Sequence, residues 1–228
     1  AIQRVADRFL AAQGLSATSD AARYQAASDL HTRIQSLLGD PSSDSSLAAQ
    51  IDQIFASLGA LTVDPTSPAN RSAVIAQLNQ AFSEFGRVAD GLNGLRGEAD
   101  QRIAFDVSSA NDAIAQINSL NKAIQSAQAS GGAPNDLLDQ RDAAVQQLSR
   151  LMDVRVTPQA NGRITVLPGD GTQLVGEGHV KLQYDPAAPG GAFGAITAYQ
   201  VSALTGEVGT DGRPLDVHIA SGEIRGLI

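Results

Sequence analysis

The sequence predicts an α+β protein, with an elongated multi-helix bundle of long amphipathic helices and an inserted small antiparallel β domain. Over much of residues 1–152, apolar residues recur every three or four positions, as on one face of an α-helix. After Met152, β-branched and polar residues alternate between glycine and proline clusters, which is typical of short antiparallel strands. We therefore predict a helical stalk domain over residues 1–152, a β domain over 153–218 and the start of a returning helical segment over 219–228.

Two helices are predicted in the first forty residues. Residues 2–12 carry a 3.6-residue apolar stripe that is expected to end near Gly14, because glycine is a weak helix former. A second helix is expected to begin near Ser19 or Asp20 and to end at Leu38, before a Gly-Asp-Pro stop signal.

A third helix is predicted over residues 46–60, and a much longer one follows the prolines of the segment TVDPTSP. The third helix is expected to bury Leu47, Ile51, Ile54, Phe55 and Leu58. In the long helix, apolar or alanine residues form a seam at positions 74, 78, 81, 85, 88, 92, 95, 99, 103, 107, 110, 114, 117, 120 and 124. Its steps average about 3.6 residues, and the consecutive steps of four from 95 to 107 would relax a strict heptad supercoil. Gly86, Gly91, Gly94 and Gly97 interrupt this helix, so a kink, close helix packing or a break is expected there.

The β domain begins with a predicted hairpin. Its strands are residues 154–157 and 163–167, and Asn161-Gly162 is a favoured turn pair between them. Further strands are predicted over residues 173–175, 180–184, 195–201 and 215–219. A final helix could be capped by Ser221, with Glu223 in its first turn.

The stretch GGAPNDLLDQRDAAVQQL, residues 131–148, combines a turn with three carboxylates, Asp136, Asp139 and Asp142. These could in principle hold a hard cation, but the alternating oxygen ligands of a calcium loop are absent. The favoured interpretation is a helix start, in which Asn135 or Asp136 caps the first turn and Asp139 completes a box-like pair. No metal site is therefore predicted.

No motif in the chain predicts catalysis or cofactor binding. The histidines, His31, His179 and His218, lie in different predicted elements and lack metal-ligand spacing. The glycines of LPGDGTQLVGEG lack the lysine and the order of a phosphate loop and are interpreted as strand turns. The prediction is no catalytic residue, no cofactor and no metal.

The composition excludes several classes of partner. The chain has 24 acidic residues against 16 Lys and Arg, a net charge of -8, and so lacks the positive field that nucleic-acid binding requires. Cysteine is absent, which removes disulfides and thiolate nucleophiles. The longest apolar runs are too short to cross a bilayer. Neither a nucleic-acid nor a membrane partner is expected, and an assembly or structural protein is favoured over an enzyme.

Several segments resemble flagellar hook-associated protein 1 of bacteria. They are INSLNKAIQSAQASGGA, PNDLLDQRDAAVQQLSRLMDVRV, NGRITVLPGDGTQLVGEGHVKL and GEIRGLI, together with the helical segment from LLGDPSSDSS to AFSEF. The resemblance covers most of the chain, and the Asn-Asp-Leu-Leu-Asp-Gln-Arg-Asp run is its most specific part. Flagellin and hook-associated protein 3 share the general plan of helices that enclose β insertions.

This resemblance implies a structural role at the junction between the flagellar hook and filament, outside the cell. It implies as partners the hook protein, hook-associated protein 3 and other copies of the chain, and it implies export by the flagellar type III apparatus. It also implies that the family's terminal coiled-coil segments are missing here, and that the chain is not an enzyme. The alternative is another secreted axial or surface protein, such as a flagellin-like protein, a protein like hook-associated protein 3, an adhesin or an effector.

Overall fold

The computed structural model describes residues 2–40, 43, 46–186, 192–215 and 218–228, with side chains from residue 9 onward. The predicted α+β class, with long helices and a small antiparallel sheet, is confirmed. In chain order the elements are α1 (Ile2–Leu38), α2 (Leu47–Val63), α3 (Pro68–Ala129), α4 (Asn135–Leu151), β1 (Arg155–Pro158), β2 (Ile164–Leu167), β3 (His179–Tyr184), β4 (Ile196–Val201), β5 (Val208–Pro214) and α5 (Glu223–Leu227).

All strand pairs are antiparallel. β1 pairs with β2 around the predicted Asn161-Gly162 turn, where Gly162 has a φ of 79° and the Arg163 amide donates to Asn161 Oδ1. β3, β4 and β5 form a second ladder in that order. Single bridges at Val175, one to β2 and one to β3, link the two ladders.

The two helices predicted before Leu38 are one helix, α1, so the predicted end near Gly14 is wrong. Gly14 faces open space, and the Thr18 hydroxyl donates to its carbonyl oxygen at 2.8 Å. A single interior glycine costs only about 1 kcal/mol and, unlike proline, keeps its backbone hydrogen bond. The helix therefore continues through this position.

α3 is continuous through its four glycines. A Cβ atom at Gly91 would lie 2.6 Å from the Leu37 side chain, so glycine here permits close packing of α1 against α3. Gly86, Gly94 and Gly97 face open space. The break expected as one outcome does not occur, and the expected close packing is found at Gly91.

The chain forms two compact units, one of Ala1–Ala27 with Ala99–Ile228 and the other of Ser28–Glu98. The larger hydrophobic core lies in the first unit, where the inner face of α3 and α4 pack with the inward residues of the strands. In the second unit, Arg87 donates to the Leu37 carbonyl oxygen at 2.7 Å and pairs with Glu84. The helices give way to strands after α4, whereas the compact units divide the chain within α1 and α3. The predicted domain boundary at residue 152 therefore stays a prediction.

Several predicted strands differ in the structure. Over residues 173–175 only Val175 bridges its neighbours, and no strand includes the described part of 215–219, of which 216 and 217 lie outside the described residues. β5 was not predicted, because its sequence VGTDGRP has no apolar alternation and all seven residues are exposed. Backbone pairing with β4, rather than burial, defines this strand.

The predicted Ser221 cap is also wrong. Gly222 occupies the N-cap of α5, with a φ of 94°, and the Ser221 hydroxyl instead donates to Asp20 Oδ1 at 2.6 Å. A Cβ atom at Gly222 would lie 2.5 Å from backbone atoms of Leu151 and Met152. Only glycine fits this backbone, both for its left-handed φ and for the close approach.

Candidate assembly surface

The three histidines lie in different parts of the fold. His31 lies in α1, His179 in β3 and His218 beyond β5. His179 Nδ1 lies 3.2 Å from Asn118 Nδ2 on α3. Burial lowers the pKa of His179, and Lys122 lowers it further. His179 is therefore part of the contact between α3 and β3.

The acidic stretch forms the start of α4, but not with the predicted cap. Pro134 occupies the N-cap, no side chain bonds to the first-turn amides, and the first helical residue is Asn135. Asp136, Asp139 and Asp142 are all exposed. Within the part of the chain that the structure describes, no group of three or more histidines and carboxylates could hold a metal ion. The capping prediction is wrong, and the absence of a metal site stays a prediction.

Arg141 is the buried charged residue of this stretch, which the sequence analysis did not identify. Its guanidinium donates to the Gly162 carbonyl oxygen in the β1–β2 turn at 2.8 Å and to Asn121 Oδ1 at 3.3 Å. Burial lowers the pKa of Arg141, while the neighbouring Asp142 raises it. The apolar residues three, four and seven positions along α4, Ala144, Val145 and Leu148, share its inward face, and this spacing was the available signal.

Two asparagines of α3 bind the backbone of the sheet as a neighbouring strand would. Asn111 accepts from the Leu182 amide at 2.7 Å and donates to the Leu182 carbonyl oxygen at 2.8 Å. Asn121 does the same for Ile164, at 3.0 and 2.8 Å. These paired bonds fix the position of both ladders along α3. Sequence reasoning missed them, although each asparagine follows a seam position by four residues.

The returning segment is held by three other elements of the same unit. Asp153, after α4, accepts from the Ala220 and Ser221 amides at 2.8 and 3.3 Å. The Gly222 amide donates to the Ser19 carbonyl oxygen of α1 at 3.0 Å. Arg102 of α3 pairs with Glu223. The segment after the β region therefore packs back onto the helices.

A buried carboxyl group lies beside that contact. Asp106 on α3 is 1% exposed, and its Oδ2 atom has no hydrogen-bond partner among the described residues. Burial raises its pKa to about 7, the Glu223 carboxylate adds to the rise, and Arg102, 3.7 Å away, opposes it. Arg102 is thus shared between two carboxyl groups.

The unit of residues 28–98 exposes many of its large apolar side chains. On α2, Ile51, Phe55 and Leu58 lie on one helical face and are 38%, 67% and 40% exposed. We call these three residues the α2 stripe. The expectation that this face is buried is wrong, because Leu47 and Ile54 are only partly buried and the α2 stripe lies on the surface.

On α3, the predicted seam divides into two parts. From position 99 onward, all of its residues are buried. In the N-terminal part, Val74, Ala81, Val88 and Leu95 are buried, but Leu78, Phe85 and Leu92 are 36%, 46% and 39% exposed. With Ile75 at 59% and Phe82 at 70%, they form a second line that we call the α3 stripe: Ile75, Leu78, Phe82, Phe85 and Leu92. Contiguous exposed apolar surface of this kind marks interaction sites.

Comparison with known protein families gives a match over most of the chain. The sequence model of the family described as "Flagellar hook-associated protein FlgK helical domain" matches residues 31–228. The chain belongs to the FlgK family. The predicted resemblance is thereby confirmed, and the FlgK match includes the α2 and α3 stripes.

Curated relatives and a solved structure agree with this assignment. Over 176 residues the chain is 30% identical to flagellar hook-associated protein 1 of Escherichia coli strain K12, covering 76% of this chain and 32% of that protein. It is 27% identical to the Bacillus subtilis protein of the same name over 75% of this chain and 34% of that protein. The structure of the flagellar hook junction protein FlgK from Burkholderia pseudomallei matches with a TM-score of 0.82 and 26% identity, over 95% of this chain and 38% of that chain. The chain thus spans about a third of the length of these FlgK relatives.

Among the described residues, no helix of this FlgK-family chain is long and apolar enough to cross a membrane.

Proposed function

We propose that this chain is a structural part of the bacterial flagellum, in a junction protein that joins the hook to the filament. Membership of the FlgK family over residues 31–228 carries the proposal. The exposed α2 and α3 stripes support it, because a protein that works by assembly needs surfaces that other chains cover.

The partners follow from this role. The protein contacts the hook protein on one side, hook-associated protein 3 on the other, and further copies of itself within the junction. It reaches the cell exterior through the flagellar type III apparatus. It acts by architecture and needs no catalytic residue, and the predicted helical stalk over 1–152 and β domain over 153–218 are the parts we assign to that architecture.

Deletion of the complete gene in the source bacterium tests this role. Cells without it are expected to make hooks, to lack filaments and to release flagellin into the medium. Return of the complete gene is the control and should restore filaments. Antibodies raised against this chain should label the hook–filament boundary in electron micrographs. Normal filaments in the deletion strain, or label elsewhere on the cell, would contradict the role.

A further inference from the structure

The α3 stripe has the geometry of one side of a coiled-coil seam and is exposed among the described residues. Its members are three, four, three and seven residues apart, and Ala89 fills the longest gap at the heptad position. Residues of this spacing form one line on a helix and insert between the side chains of a facing helix. The buried positions 74, 81, 88 and 95 border the stripe on one side. Among the residues that the structure describes, no helix covers this exposed line in the way that a heptad pattern requires.

The chemistry of the stripe restricts what can cover it. Its other border is formed by Asn79, Gly86 and Asn93, which are uncharged, and Gly86 leaves open space beside the stripe. A charged helix face would lose its hydration here without gaining an opposite charge, which is costly. The occupant must be an apolar helix face with few charges.

α2 has these properties. Asp52 is the single charged residue among its 17 residues, and helical geometry places it off the α2 stripe. At 1.5 Å per residue, α2 is about 25 Å long, as is the α3 stripe from Ile75 to Leu92, and the α2 stripe itself extends over about 10 Å of α2. The α2 stripe is exposed, so α2 does not use it to cover α3 of its own chain.

We propose that the α2 stripe of one copy packs against the α3 stripe of a second copy. The inference rests on the proposed function, because it specifies the contact between copies within that assembly. The two stripes are different surfaces, so the contact is head-to-tail, and successive copies add in one direction around a ring or along a helix.

The size of the contact sets its strength. The two stripes expose on the order of 700 Å² of side-chain surface, below the roughly 1,200–2,000 Å² that stable complexes bury. The contact is therefore weak between two free chains and acts at the high local concentration of an assembly. A covalent trap is the suitable assay.

The chain contains no cysteine, so single cysteines report one contact each. Phe55→Cys chains are mixed with Phe82→Cys chains at the highest soluble concentration. Interchain disulfides should form about tenfold faster in this mixture than in a control pair, because the contact raises the effective concentration of the two thiols. The control pair is Ala56→Cys with Gln80→Cys, which are exposed positions on other faces of the same helices. A second pair, Leu58→Cys with Leu78→Cys, repeats the test with smaller losses of side chain. Circular dichroism confirms that each variant is helical.

The outcomes separate the alternatives. Faster cross-linking of both stripe pairs than of the control pair supports the contact. Equal rates, or disulfides that form mainly within Phe55→Cys chains alone or Phe82→Cys chains alone, overturn it. If neither stripe pair forms interchain disulfides, the proposed contact is also overturned, and the stripes bind a different partner.

Failure of this inference is distinguishable from failure of the proposed function. Antibody label at the hook–filament boundary without cross-linking between the stripes would remove the inference and leave the junction role. Cross-linking between the stripes without label at that boundary would leave the contact and remove the junction role.

Discussion

The side chain of Asn121 satisfies three polar groups that water does not reach. It bonds both backbone groups of Ile164 and accepts from Arg141, and it is itself fully buried. Each buried polar group that loses its partner costs about 1–3 kcal/mol. Polarity alone would place Asn121 on a solvated face of α3. Its hydrogen bonds instead connect α3 to α4 and to the first hairpin.

Replacement of Asn121 by alanine is expected to lower the free energy of unfolding by about 3 kcal/mol, because the Ile164 amide and carbonyl lose their partners. Asn93→Ala is the matched control, since Asn93 is exposed on the same helix, and it should change stability by less than about 0.5 kcal/mol. Urea denaturation measures both. Equal stability of the two variants would contradict the role given to Asn121.

Asp106 makes stability depend on pH. Its pKa is about 7 in the folded chain against 3.8 for the ordinary group, so between these values the folded state holds a proton that the unfolded state has lost. The contribution of protonated Asp106 to the free energy of unfolding is fully present below pH 3.8 and is lost as pH rises toward 7. At 1.36 kcal/mol per pKa unit the loss amounts to about 4 kcal/mol.

Asp106→Asn is therefore expected to flatten the fall in stability between pH 5 and pH 8, relative to the unmodified chain. Denaturant unfolding at several pH values measures the free energy of unfolding of both chains. The difference between their two curves removes the contributions of other groups such as His179, whose lowered pKa makes stability rise with pH. Asp112→Asn is the control at an exposed position of the same helix. Parallel pH curves for Asp106→Asn and the unmodified chain would refute the assignment.

At the scale of the element, the glycines of α3 differ in what surrounds them. A Cβ atom at Gly91 would meet the end of the Leu37 side chain, whereas a Cβ atom at Gly94, one turn later, would face open space. Sequence reasoning located this cluster and named close packing among its outcomes, but the four glycines look alike in the sequence. Only the position of α1 distinguishes them.

Gly94→Ala is expected to raise the free energy of unfolding by up to about 1 kcal/mol, because alanine restricts the unfolded chain and favours helix. Gly91→Ala should gain less or lose stability, since its Cβ must displace the end of Leu37. Thermal unfolding followed by circular dichroism compares the two variants directly. A larger gain at Gly91 than at Gly94 would contradict the packing at this site.

At the scale of the whole molecule, burial along α3 is uneven. Seam residues such as Ile103, Ile114 and Ile117 are fully buried, while Leu78 and Phe85, which continue the same pattern, are exposed. Local stability follows the buried apolar contacts of each region. One continuous helix is therefore expected to contain segments of different stability.

Hydrogen exchange in dilute solution should show this difference. Amides of residues 103–124 are expected to exchange at least about 100-fold more slowly than those of residues 75–92, because the second segment lacks a cover for its exposed stripe. Mass spectrometry of peptides from the two segments measures the ratio. Uniform protection along α3 would show that the seam is equally stable throughout.

The sequence by itself determined the α+β class, the long seam of α3, the Asn161-Gly162 hairpin and the resemblance to the FlgK family. Helical period, strand alternation and turn residues are local properties, so a single sequence contains them. Local signals failed at Gly14, because one glycine is too weak to end α1, and at Ser221, because its hydroxyl bonds Asp20, 201 residues away, instead of capping α5.

The tertiary structure alone decided which apolar positions are covered and which polar residues are buried. Asn121 and Ile164 lie 43 residues apart, and Asn111 and Leu182 lie 71 apart, so no local pattern relates them. Periodicity assigns Leu78 and Val74 to one seam, but burial also depends on whether another helix lies opposite each residue. The FlgK family could be inferred from sequence because its motifs are local. The exposed stripes that we propose as an assembly contact could not, because exposure depends on which elements lie opposite each residue.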